Sequence, residues 1–406
     1  MLKLHLTRRS FSALLVQQSV ILSWMYIFGS CISDRYPDIA VWSRVGFSFS
    51  AALSIPVGLF FMRRASIRSR IIYAWSLITP VVTVSLIFVS ELWFSIAVCL
   101  LGALYGIFLV RFFTSFGEST EIGERGRIAA LIGFLAVLVM SFLTIISLIS
   151  GFVGSVILCS ALCILSFFTT RVAAVDSGES RVEREFSLTT TSEGNRDFFL
   201  YLIPWLMYNL INSILGRYHT PLLIDQFRIP APAMMIISDA MSCTGALIGG
   251  FVSDMHGRRE ALGIGLTSYG IGAALSGIAF LEIQNALPVL LSLALDGFSW
   301  GIFLVLFFLV VWEDLSNIYN SFSYYLGLSL YPISMGLAQF LPSKMQLPLV
   351  SIALCSCVLI FSSNIFLVMA RELLSPELRR ETGLLVYLEQ VKALFRRHRR
   401  EQAEAT

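Results

Sequence analysis

The chain has 406 residues, of which 56% are apolar and 14% are charged, and its formal net charge at pH 7 is +3. Soluble proteins hold about 45–50% apolar and about 25% charged residues. This composition, with a mean hydropathy of +0.79, therefore excludes an ordinary soluble domain and indicates an integral membrane protein with many spanning helices. The small net charge, without a basic stripe interleaved with aromatic residues, also excludes nucleic acid as a partner.

Apolar stretches of about 20 residues, the length that a helix needs to cross a bilayer, recur along the whole chain. The first six predicted spans lie near residues 11–32, 41–62, 71–90, 92–112, 128–149 and 151–173. A second set lies near residues 198–217, 231–252, 260–281, 286–311, 321–341 and 348–370. The shortest connections are at Glu91 and at Ser150-Gly151. We predict an all-α integral membrane fold with twelve transmembrane helices in two pseudo-symmetric six-helix bundles.

The segments outside the spans divide the chain into four parts. The two bundles occupy residues 1–174 and 198–370. Residues 175–197 are rich in Glu, Ser, Thr and Arg and predict a solvated cytoplasmic linker. In residues 371–406, apolar side chains recur at helical spacing beside arginines, so we expect a cytoplasmic basic amphipathic tail that lies on the inner leaflet or packs under the bundle.

Positively charged residues predict which side of the membrane each loop faces. If the N terminus is cytoplasmic, all but five of the 29 Lys and Arg residues fall in cytoplasmic segments or at cytoplasmic span ends. The five exceptions are Arg35, Arg44, Arg217, Arg228 and Lys344. This bias follows the positive-inside pattern, so we predict a plasma-membrane protein with both termini in the cytoplasm.

The two halves repeat one sequence pattern. Gly102-Ala-Leu-Tyr105-Gly106-Ile-Phe-Leu-Val110 matches Gly297-Phe-Ser-Trp300-Gly301-Ile-Phe-Leu-Val305 at an offset of 195 residues (297 − 102). The loop that begins at Gly58 lines up with the segment at Gly250 at an offset of 192 (250 − 58). Two matches at nearly equal offsets predict a duplicated six-span unit. This alignment places Glu118 opposite Glu313 and Asp239 opposite Phe47.

A short turn separates two apolar stretches of the second half. It reads Gly250-Phe-Val-Ser-Asp254-Met-His-Gly257-Arg258-Arg259. We expect Gly250 and Gly257 to supply the positive φ angles of a sharp bend. The Asp254 carboxylate is placed to cap the N terminus of an incoming helix, and the two arginines are expected in the headgroup layer. The alternative is a turn that is merely solvated.

This spacing resembles the inter-helix loop signature of the major facilitator superfamily, G-x3-D-x2-G-R-[RK]. A second match follows the fourth span, where Glu118-x6-Arg125-Gly126 resembles a Glu…Arg-Gly pattern of several branches. The resemblance implies a solute transporter. It also implies that the acid of the turn helps to lock the two halves together on the cytoplasmic side when the cavity opens outward. The predicted gating motif is Gly250, Asp254, Gly257, Arg258, Arg259, Glu118 and Arg125.

The resemblance is incomplete in two places. The corresponding turn of the first half has Met62 where the family usually has an acid and Ala65 where it has glycine, so Asp254 is the one intact copy. The G-x3-G-P-x2-G-G pattern of many drug/proton antiporters is missing from the fifth span. This departure disfavours an antiporter of that type without excluding it.

Two acidic residues fall inside predicted spans. Asp239 lies about eight residues into span eight and Asp296 about ten residues into span ten, so both reach the middle of a hydrocarbon core of about 30 Å. A charged carboxylate facing lipid there costs about 2.5–3.5 kcal/mol, so we expect both to face a cavity or to be protonated. Burial disfavours the charged form, and a carboxyl in a cavity that alternates sides is suited to carry a proton. The alternative is a neutral acid in an interhelical hydrogen bond, or an acid paired with arginine.

Polar and aromatic residues share helix faces with these acids by i, i+3 and i+4 spacing. The predicted substrate and proton pathway consists of Asp296, Asp239, Trp300, Tyr105, Asn209, Asn212, Tyr208 and Gln17. These faces predict a water-filled pocket between the halves, which suits a small neutral or cationic organic substrate, with protons as coupling ions. Interhelical hydrogen bonding is the alternative for each polar residue.

The residue inventory argues against an enzyme. Lysine occurs only at positions 3, 344 and 392, none after a glycine, so a G-x4-G-K-[ST] phosphate loop is absent. The four histidines fall in loops, the tail or span ends, so we predict neither a metal site nor a histidine-based triad, and no cofactor. We expect a monomer with a small-molecule substrate, surrounded by membrane lipid.

Other functions stay open beside a proton-coupled transporter. The first is multidrug or metabolite efflux without proton coupling through these acids. The second is a lipid-handling protein that uses Asp239 and Asp296 as paired carboxylates. The third is a receptor-like protein whose output is the basic tail.

Overall fold

The structure is a computed structural model, and it describes residues 6–24, 35–62, 65–176, 192–225, 228, 230–281, 286–319, 321–340 and 349–375. Helices contain almost all of these residues, which confirms the all-α class. Within these ranges, nine helices are long and apolar enough to cross a membrane, and Tyr73–Ser85 is a shorter apolar helix. The chain is therefore an integral membrane protein, and the total of twelve crossings stays a prediction.

The first half of the structure contains five helices. They are α1 (Arg8–Ser23), α2 (Ala40–Met62), α3 (Ala65–Ser85), α4 (Glu91–Ser119) and α5 (Arg125–Asp176). Thr7 caps α1, because its Oγ1 accepts a hydrogen bond of 3.1 Å from the Ser10 N–H, a contact typical of a threonine at this position. α4 begins at Glu91, where the sequence places a division between two spans.

The second half contains seven helical segments. They are α6 (Ser192–Asp225), α7 (Ala231–Met255), α8 (Arg258–Leu281), α9 (Leu287–Val305), α10 (Val311–Tyr319), α11 (Leu330–Phe340) and α12 (Leu349–Met369). A π-helical turn, Leu306–Val310, joins α9 to α10, and a 3-10 helix, Phe322–Ser329, leads into α11. α6 begins earlier than the predicted residue 198. Residues 177–191 of the predicted linker and 376–406 of the predicted tail lie outside the described residues.

One glycine breaks α5 close to the point where its two apolar stretches, Arg125–Ser147 and Ile149–Val172, meet. Gly151 has φ 65° and ψ −162°, a region of backbone space that only glycine enters readily. The break falls where the sequence predicts two spans in direct succession. A single backbone position therefore separates two helical arms that would otherwise read as one long helix.

We expect Gly151→Ala to lower the free energy of unfolding by about 1–3 kcal/mol, because a Cβ strains this backbone conformation. Packing adds nothing to the cost, since no heavy atom of the described residues lies within 4 Å of a Cβ built there. Thermal unfolding of the purified protein measures the effect. Gly263→Ala on α8 is the matched control, since its nearest neighbour is 3.8 Å away and its backbone is helical. Equal melting temperatures for the two variants would contradict the argument.

The two halves repeat one helix contact. A Cβ built at Gly106 on α4 lies 2.1 Å from the carbonyl oxygen of Ala51 on α2. A Cβ built at Gly301 on α9 lies 2.0 Å from the carbonyl oxygen of Ser242 on α7. Only glycine allows helix backbones to approach this closely. The repeated sequence pattern therefore corresponds to a repeated packing of helices.

This contact corrects one pairing of the sequence alignment. Ala51 and Ser242 occupy equivalent positions at an offset of 191 residues (242 − 51). This offset is one residue smaller than the offset of 192 obtained by aligning Gly58 with Gly250. Asp239 then corresponds to Ser48 and not to Phe47. The acid still has no acidic counterpart in the first half, so the shared scaffold does not require it.

Two helix pairs make the most extensive contacts between the halves. α5 packs along α7, where a Cβ built at Gly250 lies 2.3 Å from the carbonyl oxygen of Gly126. α2 packs along α11, where a Cβ built at Gly336 lies 3.1 Å from the ring of Phe49 and 3.2 Å from the Cβ of Ser48. The halves therefore meet along helices, and both meeting lines contain a glycine.

The exposed surface of the helices is apolar, and their interior contains polar side chains. Leu53 is 73% exposed, Val81 69% and Val358 64%, whereas the charged residues Asp254 and Arg258 are fully buried. A soluble protein distributes these groups in the opposite way. The distribution fits a bundle that is surrounded by acyl chains.

Candidate functional site

The turn that carries the sequence signature is shorter than predicted. α7 continues to Met255 and α8 begins at Arg258, so only His256 and Gly257 connect them. Gly257 has φ 123° and supplies the bend. The prediction that Gly250 also bends the chain is wrong, because Gly250 lies inside α7, where it lets α5 approach. We call the end of the bundle that holds this connection the turn end.

Asp254 is fully buried and binds the start of a helix in the other half. Its Oδ1 accepts a hydrogen bond of 3.0 Å from the Gly126 N–H, and its Oδ2 accepts one of 2.8 Å from the Arg127 N–H. These N–H groups begin α5, have no partner within their own helix and carry the positive end of its dipole. The carboxylate therefore ties α7 of the second half to α5 of the first.

Arg258 makes contacts on both sides of the boundary between the halves. Its Nη1 donates to Asp254 Oδ1 at 2.5 Å and to Ser253 Oγ at 3.2 Å. Its Nη2 donates to the carbonyl oxygen of Ile122 at 2.7 Å, and its Nε donates to Asp314 Oδ2 at 2.9 Å. Since Ile122 belongs to the connection between α4 and α5, this fully buried guanidinium links the second half directly to the backbone of the first.

Asp314 on α10 bridges two buried arginines from different halves. Arg125 Nη1 donates to its Oδ1, and Arg258 Nε donates to its Oδ2. All three side chains are at most 1% exposed. Charge-assisted hydrogen bonds of this kind are short and strong. Asp314 is not among the residues predicted from the sequence, although it directly follows Glu313, which the repeat alignment places opposite Glu118.

Glu313 adds a further contact between the halves. Its carboxylate accepts hydrogen bonds from the Tyr325 hydroxyl and, at 3.0 Å, from Asn317 Nδ2, and it lies 3.7 Å from Arg125 Nη2. A Cβ built at Gly117 on α4 would lie 1.9 Å from the Glu313 carboxyl carbon. Glycine at this position therefore lets α4 rest against the glutamate. We call Arg125, Asp254, Arg258, Glu313 and Asp314 the buried ion network.

Two of the charged residues in the predicted gating motif, Glu118 and Arg259, lie outside the buried ion network. Glu118 is 20% exposed and pairs with Arg111 of its own helix at 3.6 Å. Arg259 Nη1 donates to the carbonyl oxygen of Val368 at 3.2 Å, at the end of α12. Both contacts remain within one half of the protein, so neither residue joins the halves by the contacts described.

Glu372, which follows α12, caps α8. Its Oε1 accepts a hydrogen bond of 2.8 Å from the Arg258 N–H, and its Oε2 accepts one of 3.1 Å from the Arg259 N–H. A Cβ built at Gly257 would lie 2.4 Å from Glu372 Oε2. Gly257 is therefore required both for its φ angle and for the space that the carboxylate fills. Sequence reasoning missed Glu372, because an acid after a span is most often solvated.

We expect Glu372→Ala to lower the free energy of unfolding by about 0.5–2 kcal/mol, because two N–H groups at the start of α8 lose their acceptor. Thermal unfolding in detergent measures this cost. Glu260→Ala is the control, since Glu260 is an exposed acid in the first turn of the same helix. A loss for Glu260→Ala as large as that for Glu372→Ala would show that general helix-dipole electrostatics, and not the cap, is responsible.

An aromatic cluster surrounds the π turn between α9 and α10. The aromatic cluster consists of Trp205, Tyr208, Trp300, Phe308 and Tyr331, with ring centroids of contacting pairs 5.0–6.4 Å apart. Phe113 of α4 lies 6.3 Å from Phe308, so the cluster reaches the first half. π turns occur frequently at functional sites. Two predicted pathway residues, Tyr208 and Trp300, thus lie together in this cluster.

Several buried polar groups in or beside the aromatic cluster have no hydrogen-bond partner among the described residues. They include Nε1 of Trp205 and the hydroxyl of Tyr105, which interacts electrostatically with Tyr331. Buried polar groups are nearly always satisfied by protein, water or ligand. These two groups are therefore available to water or to a bound solute.

Asp239 lies on the boundary between the halves. Ser141 Oγ of α5 donates to its Oδ2 at 2.6 Å, and Cys243, one turn further along α7, also contacts α5. Ser242 contacts a different helix, since its hydroxyl donates to the carbonyl oxygen of Gly297 on α9 at 2.9 Å. The predicted polar face of α7 is therefore divided between two neighbouring helices.

Asp296 lies in a different environment from Asp239. It lines a small cavity between α6, α8 and α9, all of which belong to the second half. The sequence predicts both acids in one pocket between the halves, and the structure separates them. The reason is helix rotation: the face of α9 that carries Asp296 is turned towards α6 and α8. Asn212 of α6 lines the same cavity.

Two other predicted pathway residues make hydrogen bonds within one half. Gln17 Nε2 donates to Thr170 Oγ1 at 2.8 Å and so joins α1 to the second arm of α5. Asn209 Nδ2 donates to the carbonyl oxygen of Trp205, one turn earlier in its own helix, at 2.7 Å. Among the described residues, no group of three or more His, Cys, Asp or Glu side chains is arranged to hold a metal ion.

Comparison with known proteins finds similarity in structure alone. No family profile matches the sequence, and no curated protein matches it. A bacterial homologue of the iron transporter ferroportin, in an outward-facing state, superimposes with a TM-score of 0.68 over 89% of this chain and 98% of that chain, at 12% identity. The proton:xylose symporter XylE of the major facilitator superfamily, bound to 6-bromo-6-deoxy-D-glucose, superimposes with a TM-score of 0.65. That match covers 90% of this chain and 94% of the symporter, again at 12% identity.

Proposed function

We propose that this chain, which has the fold of the major facilitator superfamily, is a secondary transporter that moves a small organic solute by alternating access. One observation carries the proposal. The two halves are held together at the turn end by the buried ion network, in which Asp254 binds the start of α5 and Asp314 binds Arg125. Such a lock is the element that a transporter must break and reform in each cycle.

The chemistry of the network suits a reversible lock. Attraction between buried charges is largely offset by the cost of removing them from water, so a buried ion network adds little net stability. When the halves separate, water hydrates the same charges again. The closed and open arrangements therefore differ by a small free energy, which a bound solute or ion is able to overcome.

We propose that the turn end is the cytoplasmic end, in the plasma membrane. The positive-inside pattern of the loops supports this orientation, with both termini in the cytoplasm. In this orientation the buried ion network is the closed cytoplasmic gate. The match to a homologue in an outward-facing state supports the same assignment.

We also propose twelve crossings arranged as two six-helix bundles, residues 1–174 and 198–370, with a linker at 175–197 and a tail at 371–406. The repeated glycine contact supports the duplication, because Gly106 packs on α2 as Gly301 packs on α7. The monomer is the proposed functional unit, since each chain contains both halves of the gate.

The aromatic cluster is the proposed solute site, and Asp239 is a proposed carrier of the coupling proton. Aromatic faces with unsatisfied donors from Tyr105 and Trp205 suit a neutral or cationic organic solute. Asp239 bonds across the boundary to Ser141. A change in its charge therefore alters a contact between the halves. Asp296 is the second proposed ion-carrying group.

Solute uptake into reconstituted vesicles tests this function. The panel contains sugars, amino acids, organic acids and cationic drugs, each with and without an imposed pH gradient. We expect uptake of one class, accelerated by the gradient in the parent and not in Asp239→Asn or Asp296→Asn. Asp38→Asn, an exposed acid, is the control and should respond like the parent. Flux that changes with neither the gradient nor the substitutions would contradict proton coupling through these acids. Absence of flux for every solute in the panel would contradict the proposed transport function.

A variant that ends at Ser375 separates a transporter from a receptor-like protein. The transporter keeps its flux, because every residue of the proposed solute site and of the buried ion network comes before Ser375 in the chain. A receptor whose output is the tail loses its function.

A further inference from the structure

A small cavity inside the second half has room for a single small ion or water molecule. It lies between α6, α8 and α9 and has a volume of about 10 Å³, which is the space of about one water. It is lined by Asn212, Leu215, Gly216, Tyr269, Gly272, Ala273, Ser292 and Asp296. Three small residues in this set leave the space open.

The polar groups of the cavity all carry oxygen, and two of them have no hydrogen-bond partner among the described residues. Asp296 Oδ1 is buried and has no hydrogen-bond partner among the described residues, and the same holds for the hydroxyl of Tyr269, a residue that is 3% exposed. Asn212 adds an amide. Ser292 Oγ is already within 2.6 Å of Ser276 Oγ, which holds it in place.

No positively charged side chain is among the residues that line the cavity. Ionising a carboxyl group whose Oδ1 is buried without a partner is costly. A positive charge in the cavity beside Asp296 offsets that cost. The cavity is large enough for one small group and too small for an organic solute.

We propose that this cavity binds one small monovalent cation, either Na⁺ or a hydronium ion, with Asp296 as its counter-charge and Asn212 and Tyr269 as further oxygen ligands. Hard cations prefer carboxylate, carbonyl and hydroxyl oxygens. A single carboxylate balances a single charge, so the site matches a monovalent ion better than Ca²⁺ or Mg²⁺, which take several oxygen ligands and often more than one carboxylate.

The site is connected to the proposed solute site through one aromatic contact. The ring of Tyr269 lies 4.9 Å from that of Tyr208, and the ring of Tyr208 lies 6.4 Å from that of Trp300. An ion that orders Tyr269 therefore also orders the aromatic cluster. Coupling of this ion to transport rests on the proposed function, whereas ion binding itself does not.

Thermal unfolding of the purified full-length protein in detergent tests ion binding directly. NaCl is titrated against choline chloride at constant ionic strength, and binding of ²²Na⁺ is measured in parallel. If the ion is Na⁺, the parent gains a saturable increase in melting temperature and binds one ²²Na⁺ per chain. Asp296→Asn loses both effects. Tyr269→Phe, which removes only a hydroxyl, weakens the affinity by about tenfold or more, as loss of a supporting group does at metal sites.

If the ion is hydronium, Na⁺ has no effect, and the parent instead takes up one proton per chain between pH 8 and pH 5 that Asp296→Asn does not take up. Tyr269 is the other titratable side chain that lines the cavity within the described residues, and Tyr269→Phe shows whether it contributes. Asp38→Asn is the control and should match the parent in every arm. Absence of both the Na⁺ effect and the Asp296-dependent proton uptake overturns the proposal. If the vesicles still transport solute in that case, the transport function stands without this ion site.

Discussion

Asp314→Asn is expected to have the largest effect of any single substitution at the turn end. The carboxylate accepts hydrogen bonds from two buried arginines, Arg125 and Arg258. An asparagine offers one acceptor only and turns an N–H₂ donor towards a guanidinium, so one arginine loses a buried charge partner and keeps only its second carboxylate, Glu313 for Arg125 or Asp254 for Arg258. Breaking a buried pair in this way costs about 3–5 kcal/mol. We expect a clear fall in the melting temperature of the purified protein and loss of solute flux in vesicles.

Glu121→Gln is the control for this prediction. Glu121 is an exposed acid in the connection between α4 and α5, and exposed charges of this kind contribute about 0–1 kcal/mol. We expect this variant to unfold close to the parent temperature. If both variants unfold alike, burial and the bridge between the halves have no special role. If Asp314→Asn leaves the melting temperature unchanged, the buried ion network is not part of the folded protein.

Gly250→Ala is expected to weaken the closed gate without removing any charge. A Cβ at this position would lie 2.3 Å from the carbonyl oxygen of Gly126 and 2.4 Å from the Cβ of Ala130. Backbone atoms cannot move aside as a flexible side chain does, so α5 and α7 must separate. Overpacking of this kind costs about 1–3 kcal/mol, which lowers the ratio of closed to open molecules by about 5- to 150-fold.

Hydrogen exchange of the first N–H groups of α5 reports this change. The N–H groups of Gly126 and Arg127 are protected in the closed gate because they donate to Asp254, and opening exposes them. We expect peptides that cover these residues to exchange faster in Gly250→Ala than in the parent. Gly263→Ala, a glycine with open space beside it, should leave the exchange unchanged. Equal protection in both variants would show that the close approach of α5 and α7 does not hold the gate.

The sequence predicts the membrane class and many helix bounds well, because hydropathy depends on local composition. The spans predicted near 41–62 and 348–370 correspond to α2 (Ala40–Met62) and α12 (Leu349–Met369). The break at Gly151 was also predictable, since two apolar stretches meet there without a polar connection. The early start of α6 was not, because a polar helix turn that extends beyond the membrane has no hydropathy signal.

The site was harder to predict, because its contacts join residues that are distant in sequence. The signature indicates that Asp254 caps a helix, but only the structure shows that this helix is α5, while Glu372 caps α8. Asp314 and Glu372 resemble solvated acids at span ends when the sequence is read alone. Their burial depends on how the helices pack at the turn end.

The positions of the two membrane acids show the same limit. Counting residues from a span end gives the depth of Asp239 and Asp296, because the rise per residue is constant. It does not give the neighbour that each faces, since a rotation of the helix by one residue changes the contact. Asp239 faces α5 across the boundary, and Asp296 faces α6 and α8 within one half.

The distance between the halves at both ends of the bundle tests the central claim most directly. Spin labels at Glu121 and Glu260, both exposed at the turn end, report on the gate, and labels at Trp42 and Leu287 report on the opposite end. The labels are placed in a background in which the seven native cysteines are replaced, and distances are measured by double electron–electron resonance in lipid nanodiscs.

Alternating access predicts a short distance at the turn end together with a long distance at the opposite end in the parent. It also predicts that Asp314→Asn shifts both distributions in opposite directions. Distances that stay fixed at both ends, in the parent and in the variant alike, would contradict the account.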